Sequence, residues 1–273
     1  MGIRINTNVA ALNTRRNLYN STVSFQKSME KLASGLRINR AADDAAGLAI
    51  SEGMKSDIRA LGQAARNASD GISMVQTAEG ALDEVSNILL RMKELAEQSL
   101  GGTLSGAQQD YLDSEYQELS AEIDRIAAGT EYNDIALLDG TLSVDIQVGI
   151  DTAATSQINV ALGTAMDTTG LALAADISST GAPGTALTEV DAAIATVSSA
   201  RADFGAKQNR FESSVRNINN TAENLSAANS RIRDVDVASE TSSLTSYQIL
   251  QQAGVSVLAQ ANMTTGLALS LLG

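Results

Sequence analysis

From residue 188 onward the apolar positions fall at alternating spacings of four and three. Val190, Ile194, Val197, Arg201, Phe204, Gln208, Phe211, Val215, Ile218, Ala222, Leu225, Asn229 and Ile232 form one series, apolar at ten of its thirteen positions. That rhythm keeps a stripe on one side of a helix and predicts a coiled-coil partner. A second series, Ile58, Leu61, Ala65, Ala68, Ile72, Val75, Glu79, Leu82, Val85, Leu89, Met92 and Ala96, supplies one of similar length between about 41 and 99. A third, Leu112, Tyr116, Leu119, Ile123 and Ile126, is shorter. It opens on the capping-box pattern Ser105-Gly-Ala-Gln108 and lies between the stops Gly101-Gly102 and Gly129.

Both ends carry stripes as well. Ile5, Val9, Leu12, Arg16, Tyr19 and Val23 keep the 4-3 spacing near the start, and Leu250, Ala253, Val257, Gln260, Thr264, Leu267 and Leu271 keep it near the end. Only 141–184 changes period: Leu142, Val144, Ile146 and Val148 alternate as in a half-buried strand, with Ile158 and Val160 as its partner. The expected fold is mainly α, an elongated antiparallel helical bundle with a small β-hairpin region and paired N- and C-terminal helices. A 59-residue helix is about 88 Å long, against a diameter near ~50 Å for a compact globule of this length. The single proline, Pro183, leaves such helices unbroken. Glycines 53, 62, 71 and 80 each cost the long helix about 1 kcal/mol relative to alanine, so packing must stabilise it.

Composition removes whole classes of chemistry. The chain has no histidine, cysteine or tryptophan and only eight aromatic residues. Nucleophile pairs built on His or Cys are therefore excluded, as are thiolate redox sites and zinc sites on Cys or His ligands. A net charge of -13 argues against nucleic acid as a partner. Charge is uneven: residues 1–42 hold seven Lys/Arg against Glu30 alone, and 241–273 hold no charge at all. Glutamines interrupt that last segment, so it lacks a run long and apolar enough for membrane insertion and is expected to be buried against protein. The N-terminus has no continuous apolar stretch, so export by the general secretory signal is not expected.

Local motifs read blandly. Ser28-Met-Glu-Lys31 matches S-x-x-K but lacks its companion motifs and lies inside a heptad. Asp43-Asp44 and Asp234/Asp236/Glu240 sit where helix N-termini favour negative charge. The N-x-S/T triplets fall mostly in predicted helices. Arg91, Lys93, Glu94 and Glu115 read as a solvated outer face. No catalytic, cofactor-binding or metal residue is expected.

The heptad-bearing stretches KLASGLRINRAADDAAGLAIS (31–51), NASDGISMVQTAEGALDEVSNILLRMKELAEQS (67–99), GAKQNRFESSVRNINNTAENLSAANSRIRDVDVASE (205–240) and QILQQAGVSVLAQAN (248–262) closely resemble the terminal regions of bacterial flagellin. The resemblance covers nearly all of 1–140 and 187–273. It implies a structural filament subunit in a minimal form, since 141–186 is too short for variable outer domains. On this reading 1–40 and 235–273 form an inner terminal domain lining the filament core tube. Residues 41–140 and 187–234 form the bundle domain, and 141–186 its hairpin connector.

The resemblance further implies export through the flagellar type III apparatus and an extracellular location. It implies binding of 248–272 by an export chaperone, and junctions with hook-associated and cap proteins. In a host it implies contact with Toll-like receptor 5 through Arg91, Leu95 and Glu115. The terminal helices are expected to fold on assembly, burying Leu12, Val23, Leu32, Leu250, Val257, Leu258 and Leu267 against each other and neighbouring copies. Two alternatives are a hook-filament junction protein, which shares the terminal pattern, and a helical signalling rod. The rod leaves the charge-free tail and strand-like insert unexplained.

Overall fold

The computed structural model describes residues 7–270, with side chains through Thr264. Five helices and two small hairpins follow one another: α1 (Val9–Ser34), α2 (Ala45–Leu100), α3 (Gly106–Gly129), β1 (Glu131–Tyr132), β2 (Ile135–Ala136), β3 (Ser143–Gln147), β4 (Gln157–Ala161), α4 (Pro183–Arg233) and α5 (Val237–Ser270). The chain divides into two compact units, 57–223 and a second built from 1–56 with 224–273.

In the 57–223 unit, α2 and α4 pack along their heptad stripes. Leu61, Ala68, Val75, Leu82, Val85, Leu89 and Met92 of α2 are buried, as are Val190, Val197, Phe204, Phe211 and Ile218 of α4. Tyr116 and Ile123 bring α3 onto the same core. Arg201, one of the polar positions in the α4 series, pairs with Asp83 of α2 at 3.0 Å. The expected ends of α3 are found: Gln108 Oε1 accepts the Ser105 N–H at 2.9 Å, and the helix stops at Gly129. Pro183 opens α4, the first-turn position where its missing N–H costs nothing, so the helix begins inside the 141–186 stretch.

The alternating stretch pairs as expected, with Val144 opposite Val160 and Ile146 opposite Ile158. Two features lay beyond the hydrophobic pattern. The two-residue turn Asn133-Asp134, both at positive φ, closes the β1–β2 hairpin. Residues 162–182 form a strap that buries Met166, Leu171 and Ile177, and carboxylates hold its backbone in place of a ladder. Asp113 Oδ1 accepts from the Ile177 N–H, Asp110 from Ser179, Asp124 from Thr168, and Glu189 from both Ala174 and Ala175, all between 2.8 and 3.1 Å.

Candidate functional site

In the second unit, α1 and α5 run antiparallel. Asn8 Nδ2 donates to the Ala261 carbonyl at 2.9 Å, Leu18 lies against Gly254, Gln251 reaches Thr22, and Lys31 pairs with Glu240. A Cβ on Gly254 would stand 3.2 Å from Leu18 Cδ1. Half-buried Ala11, Thr14, Leu18 and Thr22 on α1 match Leu244, Tyr247, Gln251, Gly254, Leu258 and Ala261 on α5. Small residues are frequent in this seam, so the two backbones approach closely.

This seam is offset from the stripes the spacing marks out. Val9, Leu12 and Tyr19 are 59%, 56% and 69% exposed, and Leu250 and Val257 are 53% and 55% exposed. Val23, Leu32 and Leu258 are half-buried. The Leu267 side chain, with Ile5 and Leu271, lies outside the described residues. Val9, Leu12, Tyr19, Leu250 and Val257 thus stay largely uncovered within the chain, while Leu18, Leu244 and Leu258 lie in the seam. Met29, Ile249, Val255 and Met263 extend the exposed apolar surface. The signal that points to them is an α5 free of charge after Glu240 with large apolar residues spread around it, more than one partner helix can cover.

A junction ties these helices to the rest of their unit. Leu36 bridges to Asp234, the Val235 N–H donates to Gly35, and the Arg37 N–H donates to the Arg233 carbonyl at 2.6 Å. Arg233 Nη1 meets Glu52 Oε1 at 2.6 Å. The acidic caps divide their work. Asp44 Oδ1 accepts the Gly47 N–H at the start of α2, and Asp236 Oδ1 accepts those of Ala238 and Ser239 at the start of α5. Asp43 caps the preceding loop instead, and the Arg40 N–H it accepts holds its carboxyl below the usual range.

On the 57–223 unit, Arg91 Nε and Nη2 both donate to Glu115 Oε1, and Arg91 Nη1 pairs with Glu94. Glu115, then Glu94, hold the guanidinium above its ordinary pKa. Lys93 Nζ pairs with Asp191 at 2.6 Å. Leu95 is fully buried in the core, so it sets the helices rather than presenting a contact. Among the described residues, no group of three or more acids is placed to hold a metal, and no helix is long and apolar enough to cross a membrane.

The geometry is thus that of two helical units with an extensive uncovered apolar surface on the terminal pair. The bacterial flagellin N-terminal helical region is matched over residues 5–143 and the C-terminal helical region over 187–272. A flagellin of Halalkalibacterium halodurans is 48% identical over 98% of this chain and 99% of its own. One from Bacillus subtilis is 46% identical over 99% of this chain and 100% of its own. The crystal structure of Bacillus cereus flagellin superposes with a TM-score of 0.50 at 33% identity, covering 60% of this chain and 94% of that one. With both helical regions matched and no large outer domain between them, this chain belongs to the bacterial flagellin family and is a structural subunit of the flagellar filament.

Proposed function

We propose that polymerisation is driven by the exposed apolar residues of α1 and α5, with Leu12, Leu250 and Val257 buried only when further copies surround them. Val23, Leu32 and Leu258 complete the seam inside each copy, and Leu267 continues the set. The observation that carries this reading is the exposure of Val9, Leu12, Tyr19, Leu250 and Val257 on a helix pair whose seam is made by other residues. Ordering a helix costs about 1–2 kcal/mol per backbone residue, so a terminal pair half-covered in the monomer gains its remaining stability at a filament tip. Residues 1–40 with 235–273 then line the core tube and 41–140 with 187–234 surround it, the 141–186 connector staying with the bundle.

The chain has no catalytic role in this reading; its work is mechanical. It travels through the type III export apparatus to an extracellular filament, with 248–272 covered by an export chaperone beforehand and hook-associated and cap proteins at the filament ends. In a host, Arg91 and Glu115 offer an exposed contact for Toll-like receptor 5, and buried Leu95 supports the helix beneath them. Circular dichroism of monomer before and after seeding, with electron microscopy, tests the central claim. Helicity should rise on seeding, and a monomer already fully helical sinks folding on assembly.

A further inference from the structure

The chain contains seven methionines and no cysteine, histidine or tryptophan. A peroxide acting as a two-electron oxidant therefore has the methionine thioethers as its main targets, and attack follows their exposure. That exposure divides the methionines by unit. Met74, Met92 and Met166 in the core of the 57–223 unit are 3%, 0% and 1% exposed, whereas Met29 on α1 and Met263 on α5 are 48% and 65% exposed. Met54 is half-buried. Met1 lies outside the described residues. Among the described residues, then, the two most accessible thioethers stand one on each helix of the terminal pair, the pair that also exposes Leu12, Leu250 and Val257.

We propose that Met29 and Met263 form a reversible oxidation site that governs entry of the monomer into the filament. The sulfur lone pair attacks one peroxide oxygen and the O–O bond breaks. The proton on the transferred oxygen passes to the departing hydroxide, which leaves as water. Sulfur loses two electrons to the peroxide and becomes a sulfoxide, polar where the thioether was apolar. In the monomer that group stays hydrated and leaves the fold alone. Against a further copy it must shed its water without a partner built to receive it, which opposes burial. This consequence rests on the proposed burial of the α1 and α5 surface during polymerisation. A thiol-dependent methionine sulfoxide reductase reverses the step: two thiols become a disulfide, and the sulfoxide oxygen departs as water.

The test treats purified monomer with hydrogen peroxide, maps sulfoxides by peptide mass spectrometry and follows seeded elongation by light scattering. Sulfoxide should form at Met29 and Met263 well before Met74, Met92 and Met166. The critical concentration should rise at least about tenfold with the monomer melting temperature unchanged, and reductase with dithiothreitol should restore it. The same dose given to filaments verified by electron microscopy should leave both thioethers intact. The double variant Met29→Leu/Met263→Leu should show one critical concentration before and after the dose. Unchanged elongation by monomer carrying both sulfoxides overturns the site and leaves polymerisation through Leu250 and Val257 standing. A rise in the double variant equal to that of the native chain traces the effect to other methionines and overturns it as well. Equal oxidation of Met29 and Met263 in monomer and filament does the same.

Discussion

Arg91 on α2 places two donors, Nε at 2.9 Å and Nη2 at 2.8 Å, on a single oxygen of Glu115 on α3. Both side chains remain close to half exposed, so the pair is a surface feature. Exposed ion pairs contribute little to stability. Arg91→Ala and Glu115→Ala should therefore leave thermal unfolding and filament formation almost unchanged while lowering receptor signalling in a reporter cell. Unchanged signalling rejects the proposed contact. Leu95→Ala is a poor probe of the same question: truncating this buried residue should cost about 2–5 kcal/mol, and any loss of signalling would reflect the fold.

The glycines of α2 make a controlled comparison. A Cβ at Gly71 would stand 2.7 Å from Ile146 Cδ1 and 2.9 Å from Phe211 Cζ, whereas one at Gly80 would meet nothing within 4 Å. Gly80→Ala should stabilise by up to about 1 kcal/mol through helix propensity. Gly71→Ala should destabilise by about 1–3 kcal/mol from overpacking. Urea unfolding of both variants measures the difference, and equal shifts would contradict the packing of the β3–β4 hairpin on α2.

Polymerisation and folding should separate at α5. Because Leu250 and Val257 are more than half exposed, Leu250→Asp and Val257→Asp should leave monomer unfolding unchanged and abolish seeded elongation measured by light scattering. Removing 241–273 should also abolish elongation, but should lower monomer helicity as well, because α1 loses the partner that Gln251 and Gly254 supply. Filaments of normal yield from any of these chains would contradict the proposed surface.

Tyr116 supplies a pH signature. Burial, with Glu189 and Asp113 nearby, pushes its hydroxyl up to about 12 from an ordinary value of 10.0. The folded chain keeps this proton where the unfolded chain releases it, so the contribution is fully present below about pH 10 and is lost as pH rises through about 12. Tyr116→Phe should flatten that alkaline fall. At pH 7 it should be neutral or mildly stabilising, because the hydroxyl it removes has no partner. A strongly destabilised variant at pH 7 would show that the hydroxyl has a partner after all.

The strap makes its own prediction. Asp113→Ala and Glu189→Ala remove acceptors from three backbone N–H groups and should each cost about 1–3 kcal/mol. Hydrogen exchange should accelerate at Ile177 in the first variant and at Ala174 and Ala175 in the second. Uniform exchange across the unit would mean that the strap opens only with global unfolding.

Helices that bury a stripe against one partner were legible in the pattern, since Val190, Val197, Phe204 and Phe211 could satisfy their spacing in only one way. The Val144/Val160 register followed from strict alternation. The strap was not legible, because Met166, Leu171 and Ile177 share no period and their backbone depends on carboxylates distant in sequence. Which face of α1 meets α5 was not legible for a different reason. Val9, Leu12 and Tyr19 keep the heptad spacing, but the α1–α5 seam runs through Ala11, Leu18 and Thr22, and spacing alone cannot tell a face covered within one chain from one left uncovered. Arg91 and Glu115 were visible as charges, but their convergence required the α2–α3 geometry.

The antiparallel pairing of α1 with α5 joins the first helix of the chain to its last. The proposed polymer-forming surface therefore draws on two stretches far apart in sequence. Loss of either helix leaves the other without its seam partner, so on the proposed reading assembly answers to both stretches at once.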